Sequence, residues 1–145
     1  MNIYVDADAC PNAMKEIIYK FITRKQIHTT LIANQFLRTP NSKYLSFVQV
    51  PQGFDEADNE IVKRCQEGDL VISNDIPLSD LCIQKGAVVL SFAGEFFDKS
   101  NISNRLAMRN FMDTLRSAGV ETGGPSALSN KEKQNFANQL NKIIN

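Results

Sequence analysis

Short segments rich in β-branched residues alternate with amphipathic segments of helical periodicity along the chain, and this alternation restricts the fold more than any other feature. It is typical of a parallel sheet covered by helices, because parallel strands need a crossover connection that a helix usually supplies. The length of 145 residues suits one domain. We therefore expect a single α/β domain over residues 1–145, with a central, mainly parallel sheet of five strands in the order 3-2-1-4-5.

The five predicted strands are short and mostly apolar. They lie at Asn2–Asp6, Thr29–Ala33, Phe47–Val50, Leu70–Ser73 and Ala87–Leu90. The connection between the second and third strands contains Arg38, Pro40 and Asn41 and has neither helical nor strand periodicity. We expect it to be irregular.

Helices are predicted between and after these strands. The clearest follows Pro11 and carries an apolar stripe at Met14, Ile17, Ile18, Phe21 and Ile22. The others are one from near Asp55 to Gly68, a short one from Pro77 to Gly86, one over Ile102–Ser117 with Met108, Phe111, Met112 and Leu115 on one side, and one from Ser129, where Glu132 completes a capping box. A turn at Gly123, Gly124 and Pro125 precedes the last helix.

Composition excludes several classes of protein. With 43% apolar and 22% charged residues the chain can bury a core, unlike a disordered tail. Apolar runs fall short of the ~20 residues that span a bilayer, and the start MNIYVDADACP places two carboxylates where a signal peptide would be basic and then apolar. We expect a soluble cytoplasmic protein with no membrane partner. The three cysteines, Cys10, Cys65 and Cys82, lack CxxC spacing, which favours reduced thiols over disulfides or a zinc site.

The net charge of zero conceals an acidic middle between basic flanks. Residues 1–54 carry six Lys and Arg against three Asp and Glu, residues 55–80 carry two against eight, and residues 101–145 carry six against three. Such a distribution could hold divalent cations beside a polyanion, although a solvated acidic surface would have the same composition.

Acidic residues follow the strands whose carboxyl ends should meet at one edge of the sheet. Asp6 and Asp8 end the first strand, Asp75 follows the fourth, and Asp80 lies about one turn into the next helix. Asp58 begins an otherwise apolar helical stripe, which turns it toward the sheet. Crowded carboxylates repel one another unless a cation neutralises them, and hard oxygen ligands suit Mg²⁺ or Mn²⁺.

Several acidic residues of this region also have a structural explanation, which is favoured for Asp55 and Asp80. Asp55 is well placed as a helix N-cap, and Asp58 could be a first-turn acid favoured by the helix dipole. Asp75 and Asp8 could cap the helices near Pro77 and Pro11. A functional role is favoured most for Asp6 and Asp8, because the fold gives less structural reason for two acids at the end of a buried strand.

The candidate groups for contacting a substrate phosphate are Arg38, Arg105 and Arg109, with Asn74 beside Asp75 as a polar neighbour. Cys10 lies near a helix N-terminus but has no nearby histidine in sequence, which argues against a nucleophile. Cys65 and Cys82 fall on helix stripes and are expected in the core.

Four motifs resemble those of a known family. They are VDADACP at 5–11, GFDEADNEIV at 53–62, GDLVISNDIPL at 68–78 and TGGP at 122–125. In their order and over nearly the whole chain they are similar to the YaiI/YqxD family of uncharacterised bacterial proteins. That family looks like a branch of the three-layer PIN-like fold, whose active members are metal-dependent nucleases with three or four acids at strand ends. The resemblance implies metal roles for Asp6, Asp58, Asp75 and Asp80, with Asp8 beside them.

Three functions are compatible with these residues. The first is a Mg²⁺- or Mn²⁺-dependent nuclease for single-stranded nucleic acid, with RNA favoured over DNA. The second is a small phosphatase, because a strand ending in DxD is similar to the haloacid dehalogenase arrangement, although Cys10 and Lys63 match that pattern poorly. The third is a binding module that holds a nucleotide or RNA in the same site without turnover.

Overall fold

Six strands form one sheet in the part of the chain that the computed structural model describes, residues 1–53, 55–119 and 129–144. In chain order they are β1 (Ile3–Asp6), β2 (Thr29–Ala33), β3 (Leu45–Gln49), β4 (Leu70–Ile72), β5 (Val88–Leu90) and β6 (Phe96–Phe97). The sheet order is β3-β2-β1-β4-β5-β6, with β1 to β5 parallel and β6 antiparallel to β5. The predicted order of the first five strands is therefore confirmed.

The predicted count of five strands is wrong by one, because the sequence pattern could not reveal β6. This strand has two residues, too few for an alternating pattern to show. It follows a tight turn in which the Ser91 N–H donates to the Glu95 carbonyl at 2.8 Å and Gly94 adopts φ +88°. The turn folds the chain back and gives the sheet an antiparallel edge.

Helices cover both faces of the sheet. They are α1 (Asn12–Lys25), α2 (Glu56–Arg64), α3 (Ile76–Gln84), α4 (Ile102–Ser117) and α5 (Asn130–Ile144). One buried cluster joins the sheet to α1 and α5 through Met14, Ile18 and Phe136, and the other joins it to α2 and α3 through Ile61 and Leu78. The three-layer arrangement follows from these two cores. No helix in the described ranges is both long enough and apolar enough to cross a membrane.

Several local predictions can be compared with the structure. The capping box is confirmed, since the Glu132 N–H donates to Ser129 Oγ at 3.1 Å and the Ser129 N–H donates to Glu132 Oε1 at 3.3 Å. Cys65 and Cys82 are fully buried, as predicted. The chain from Asn34 to Tyr44 has no regular structure. The predicted turn at Gly123, Gly124 and Pro125 lies outside the described residues.

The apolar stripe predicted for α4 is largely uncovered. Met108 and Phe111 are exposed, and Ile102 at the start of the helix is its one buried residue among those described. α4 packs beside α3, and only its first turns reach the buried cluster, through Ile102 and Leu106. The apolar periodicity of this segment therefore predicts the helix correctly, but it does not predict which side chains of the helix are buried.

Gly94 allows the turn before β6 to approach α5 closely. A Cβ atom at this position would lie 2.8 Å from Asn135 C and from Phe136 N. We expect Gly94→Ala to lower the free energy of unfolding by about 3 kcal/mol, through backbone strain and overlap with the helix. Urea denaturation measures this loss.

Gly68→Ala is the matched control, because Gly68 has nearly the same φ, +86°, and open space around its Cβ position. It should cost about 1 kcal/mol, the strain alone. Equal losses in the two variants would mean that the approach to α5 is relieved elsewhere.

Candidate active site

The carboxyl ends of β1 and β4 bring two polar residues together. The strands are paired in parallel, with Val5 opposite Ile72, so Asp6 and Ser73 leave the sheet side by side. The Ser73 hydroxyl donates to Asp6 Oδ2 at 3.0 Å and accepts from the Asp75 N–H at 3.0 Å. Ser73 thus fixes the Asp6 carboxylate relative to the loop that carries Asp75. Sequence reasoning named Ser73 only as part of the strand end and missed this role.

Asp75 serves as the N-cap of α3, as its position predicted. Its Oδ1 accepts from the Leu78 N–H at 3.0 Å, and the Ser79 hydroxyl donates to its main-chain carbonyl at 2.7 Å. The cap uses one carboxylate oxygen, while the side chain also borders the cavities described below. Capping and a place in the site are therefore compatible at this residue.

Asp58 reaches the same point from the first turn of α2. Its side chain and that of Asp75 line both cavities described below, and the negative charge of Asp75 acts on the Asp58 carboxyl group. Partial burial, followed by the charges of Asp75, Asp6 and Asp55, raises the pKa of Asp58 to about 6. The dipole of α2 cannot be the main influence on this residue, because it would lower the pKa.

Asp6 is the most enclosed of these acids. Burial raises its pKa above the usual range, the hydrogen bond from Ser73 opposes this, and the charges of Asp75 and Asp8 raise it further. The pKa values of Asp6 and Asp58 are both raised, which indicates that negative charge is concentrated here without a neutralising cation from the protein.

Asp8 connects this cluster to the end of β2. Its Oδ2 accepts from the Asn34 N–H at 2.6 Å. Asn34 is held in turn by its own side chain, which donates to the Pro51 carbonyl at 3.0 Å, and by Gln49, whose Nε2 donates to the Asn34 carbonyl at 3.2 Å. Asn34 thus links three strand ends. Nothing in the local sequence signals this role, because its partners are distant along the chain.

Asp55 stands at the N-cap position of α2 but makes no side-chain capping hydrogen bond. Its backbone adopts φ +64°, a left-handed conformation that is costly for most residues other than glycine and least so for Asn and Asp. The capping role predicted for its side chain is therefore wrong. The side chain faces the cavities instead, and the sequence argument underrated it.

Two adjoining cavities lie over these acids. One, of about 300 Å³, is lined by Asp6, Asp8, Asn34, Gly53, Asp55, Glu56, Ala57, Asp58 and Asp75. The other, of about 430 Å³, is lined by Asp55, Asp58, Asn59, Val62, Asp75, Pro77, Leu78, Leu81 and Arg109. Because they share three carboxylates, we treat them as one acidic cleft. It is acidic over β1 and more apolar toward α3 and α4.

The structure brings together four of the five predicted acids, Asp6, Asp8, Asp58 and Asp75. Asp80 lines neither cavity. It accepts a hydrogen bond from Gln84 Nε2, also on α3, at 3.0 Å. Its predicted metal role stays a prediction.

Among the predicted substrate-binding residues, Arg109 lines the acidic cleft, with Asp113 3.1 Å from its guanidinium. Asn74 uses its Oδ1 to accept from the Phe92 N–H at 2.8 Å, which braces the loop after β5. Arg105 lies over the Phe97 ring beside Glu95, and Arg38 is exposed in the irregular segment after β2. Asn74, Arg105 and Arg38 line neither cavity.

Burial argues against a nucleophilic role for Cys10. It is buried, and its burial raises the pKa of the thiol to about 12, so the thiolate is scarce near neutral pH. This agrees with the sequence argument against covalent cysteine chemistry.

Metal ligation depends on how closely the carboxylates approach. In the described part of the chain, no group of three or more His, Cys, Asp or Glu side chains is arranged to surround one ion. Asp58 and Asp75 line both cavities, and their charges act on each other. A fully protein-built cage, as in structural zinc sites, is thus not present among these residues.

The fold and the cleft together define a three-layer α/β protein with a carboxylate-lined cleft at the carboxyl edge of a mainly parallel sheet. A family model described as "Uncharacterized BCR, YaiI/YqxD family" matches residues 4–145. The chain belongs to this family, as its four motifs indicated.

Curated relatives agree with this assignment. A UPF0178 protein of Dechloromonas aromatica is 56% identical over 99% of this chain and 96% of its own. Similar proteins of Herminiimonas arsenicoxydans and Colwellia psychrerythraea are 52% and 54% identical over 99% of this chain and 97% and 95% of theirs. No solved structure matches the chain significantly.

Proposed function

We propose that the protein is a divalent-metal-dependent nuclease that hydrolyses phosphodiester bonds of single-stranded nucleic acid, with RNA the favoured substrate, in the cytoplasm. The observation that carries the proposal is the convergence of Asp6, Asp8, Asp58 and Asp75 on one cleft. Burial and the neighbouring charges of Asp75, Asp6 and Asp55 raise the pKa of Asp58 to about 6, so the cluster favours added positive charge.

The donor set suits Mg²⁺ or Mn²⁺. Every side-chain group at the acid end of the cleft that can ligate a metal is an oxygen donor, and Mg²⁺ commonly uses one or two carboxylates and keeps several waters. Asp58 and Asp75, which line both cavities, offer two carboxylates without a closed cage, and Asp6 adds charge nearby. When bound there, the ion would supply Lewis-acid activation of water and of the phosphate.

The remaining residues have roles that follow from their positions. Asp8 is held by the Asn34 amide, which orients its carboxylate to accept a proton from the attacking water. The water oxygen then bonds to phosphorus as the phosphorus–oxygen bond to the leaving nucleotide breaks, and the leaving oxygen takes up a proton from solvent water. Arg109, at the apolar end of the acidic cleft, is placed to contact a neighbouring phosphate.

The PIN-like resemblance supports the same activity by analogy of fold, which raises the expectation without locating the chemistry. The structure adds little support for the phosphatase alternative, because Lys63 is exposed on α2 and lines neither cavity. A binding module would use the same cleft without turnover.

The experiment is cleavage of end-labelled single-stranded RNA and DNA pools in Mg²⁺, Mn²⁺ or EDTA, with wild type and Asp6→Asn purified identically. Cleavage by wild type with metal, none in EDTA and none by a folded Asp6→Asn would support the proposal. Equal cleavage by both proteins would refute it, and a phosphoaspartate trapped on Asp6 would favour the phosphatase.

A further inference from the structure

An exposed aromatic side chain on the segment that follows β2 contacts a second ring on β3. Phe36 is 75% exposed, the highest value among the exposed large apolar side chains of the described ranges. Its ring meets that of Phe47 on β3 edge to face, with centroids 6.0 Å apart and an interplanar angle of 69°. Phe47 itself packs against the buried core. The exposed ring is thus held by a fixed partner, and we call this pair the aromatic platform.

The aromatic platform is connected to the acidic cleft through the two residues of chain from Asn34 to Phe36. Asn34, two residues before Phe36, lines the cleft and is fixed there by its contacts with Asp8, Gln49 and Pro51. Two residues of chain span at most about 7 Å. A strand of nucleic acid whose phosphate lies in the cleft can therefore place a base within reach of Phe36.

The stretch of sequence that carries the platform has a charge that suits a polyanion. Between Glu16 and Asp55 the sequence contains no acidic residue. In this stretch Arg38 is exposed, and the Lys43 ammonium lies 5.2 Å from the centre of the Tyr44 ring. Exposed aromatic rings with interspersed cations and no carboxylates are the typical surface for single-stranded nucleic acid, because bases stack on the rings while the cations follow the phosphates.

We infer that Phe36, braced by Phe47, is a base-stacking residue that binds single-stranded nucleic acid next to the acidic cleft, with Arg38 and Lys43 contacting its phosphates. The inference rests on the proposed function for its ligand class and adds the place where the strand is held. It distinguishes single strands from duplexes, whose bases are already stacked on each other.

Fluorescence gives a direct test, because the chain contains no tryptophan. Phe36→Trp introduces one reporter on the platform, and stacking of a base on it should quench its emission by more than half. The matched control is Phe111→Trp, since Phe111 is also exposed, at 58%, but lies two residues after Arg109 and so on the side of α4 that faces away from the acidic cleft. Both proteins are titrated in EDTA with an unlabelled 12-nucleotide single-stranded RNA and, separately, with the corresponding duplex.

Binding is measured separately by the anisotropy of a labelled copy of the same RNA. Phe36→Ala should weaken binding about tenfold relative to wild type, and Phe111→Ala should leave it unchanged. The single strand should quench Phe36→Trp alone, and the duplex should quench neither protein.

The outcomes separate the two proposals. Binding by wild type with no quenching of Phe36→Trp and no weakening by Phe36→Ala would overturn the aromatic platform and leave the nuclease proposal standing. Absence of binding to any single strand, with or without metal, would overturn both. A shift of wild type, but not Phe36→Ala, to a dimer in sedimentation would assign the ring to a contact between two copies of the chain and would also overturn the inference.

Discussion

Asp58→Asn is expected to lower metal-dependent cleavage of single-stranded RNA by about a thousandfold and to raise the stability of the metal-free protein at pH 8. The loss of activity follows because a metal ion and its bound water contribute several kcal/mol to the transition state, and one ligand carboxylate would be gone. The gain in stability follows because asparagine removes a charge that Asp75, Asp6 and Asp55 repel.

The effect on stability has a defined dependence on pH. The folded-state pKa of Asp58, about 6, is above the usual value of 3.8, so the folded protein holds this proton more tightly than the unfolded chain does. Asp58 therefore contributes its stabilisation at low pH, and that contribution is lost as the pH rises from about 4 through 6. Above pH 7 the variant should be more stable than wild type by about 1 kcal/mol, after allowance for solvent screening, and near pH 4 the two should converge.

Thermal unfolding in EDTA at pH 4, 6 and 8 measures this difference, and single-turnover cleavage in Mn²⁺ measures the activity. Glu67→Gln is the control, because Glu67 is an exposed carboxylate that precedes β4 and so lies at the opposite edge of the sheet. It should change neither property. A variant Asp58→Asn that is less stable than wild type at pH 8 would show that the carboxyl group is favourable in the fold and not a strained member of a metal site.

The sequence predicts the part of the site that depends on strand ends. Asp6, Asp8 and Asp75 follow parallel strands, and the rule that carboxyl ends share one edge needs only the order of the elements. Asp58 could be predicted because helical periodicity fixes the direction of its side chain. For these residues local pattern and tertiary position are linked by geometry alone.

The rest depends on contacts that no local pattern encodes. The hydrogen bond from Asn34 to Asp8 joins residues 26 positions apart, and Ser73 meets Asp6 across 67 positions. Asp55 looked like an ordinary cap because its left-handed backbone, which removes the capping bond, is invisible in the sequence. The exposed ring of Phe36 likewise falls in a segment without periodicity, where apolar residues carry no prediction of burial.

Mn²⁺ is expected to raise the melting temperature of wild type by about 8 °C at pH 8 and by much less at pH 5. A ligand at one hundred times its Kd stabilises a folded protein by about 2.7 kcal/mol, and each kcal/mol moves the melting temperature of a chain of this size by about 3 °C. Metal ligation needs ionised carboxylates, and burial together with neighbouring charges raises the pKa of both Asp58 and Asp6. At pH 5 protons therefore compete with the metal, whereas at pH 8 the acids are charged and repel one another until the metal neutralises them.

The measurement is a thermal scan in EDTA and in Mn²⁺ at both pH values, with ionic strength matched by KCl. Glu67→Gln should show the same shift as wild type, and Asp58→Asn should lose most of it. An equal shift at pH 5 and pH 8, or an undiminished shift in Asp58→Asn, would mean that Mn²⁺ binds elsewhere on the chain. In that case the raised pKa of Asp58 would have to serve proton transfer or binding without a metal, and the concentration of carboxylates over β1 would need a different cationic partner, of which the guanidinium of Arg109 is the nearest that the cleft provides.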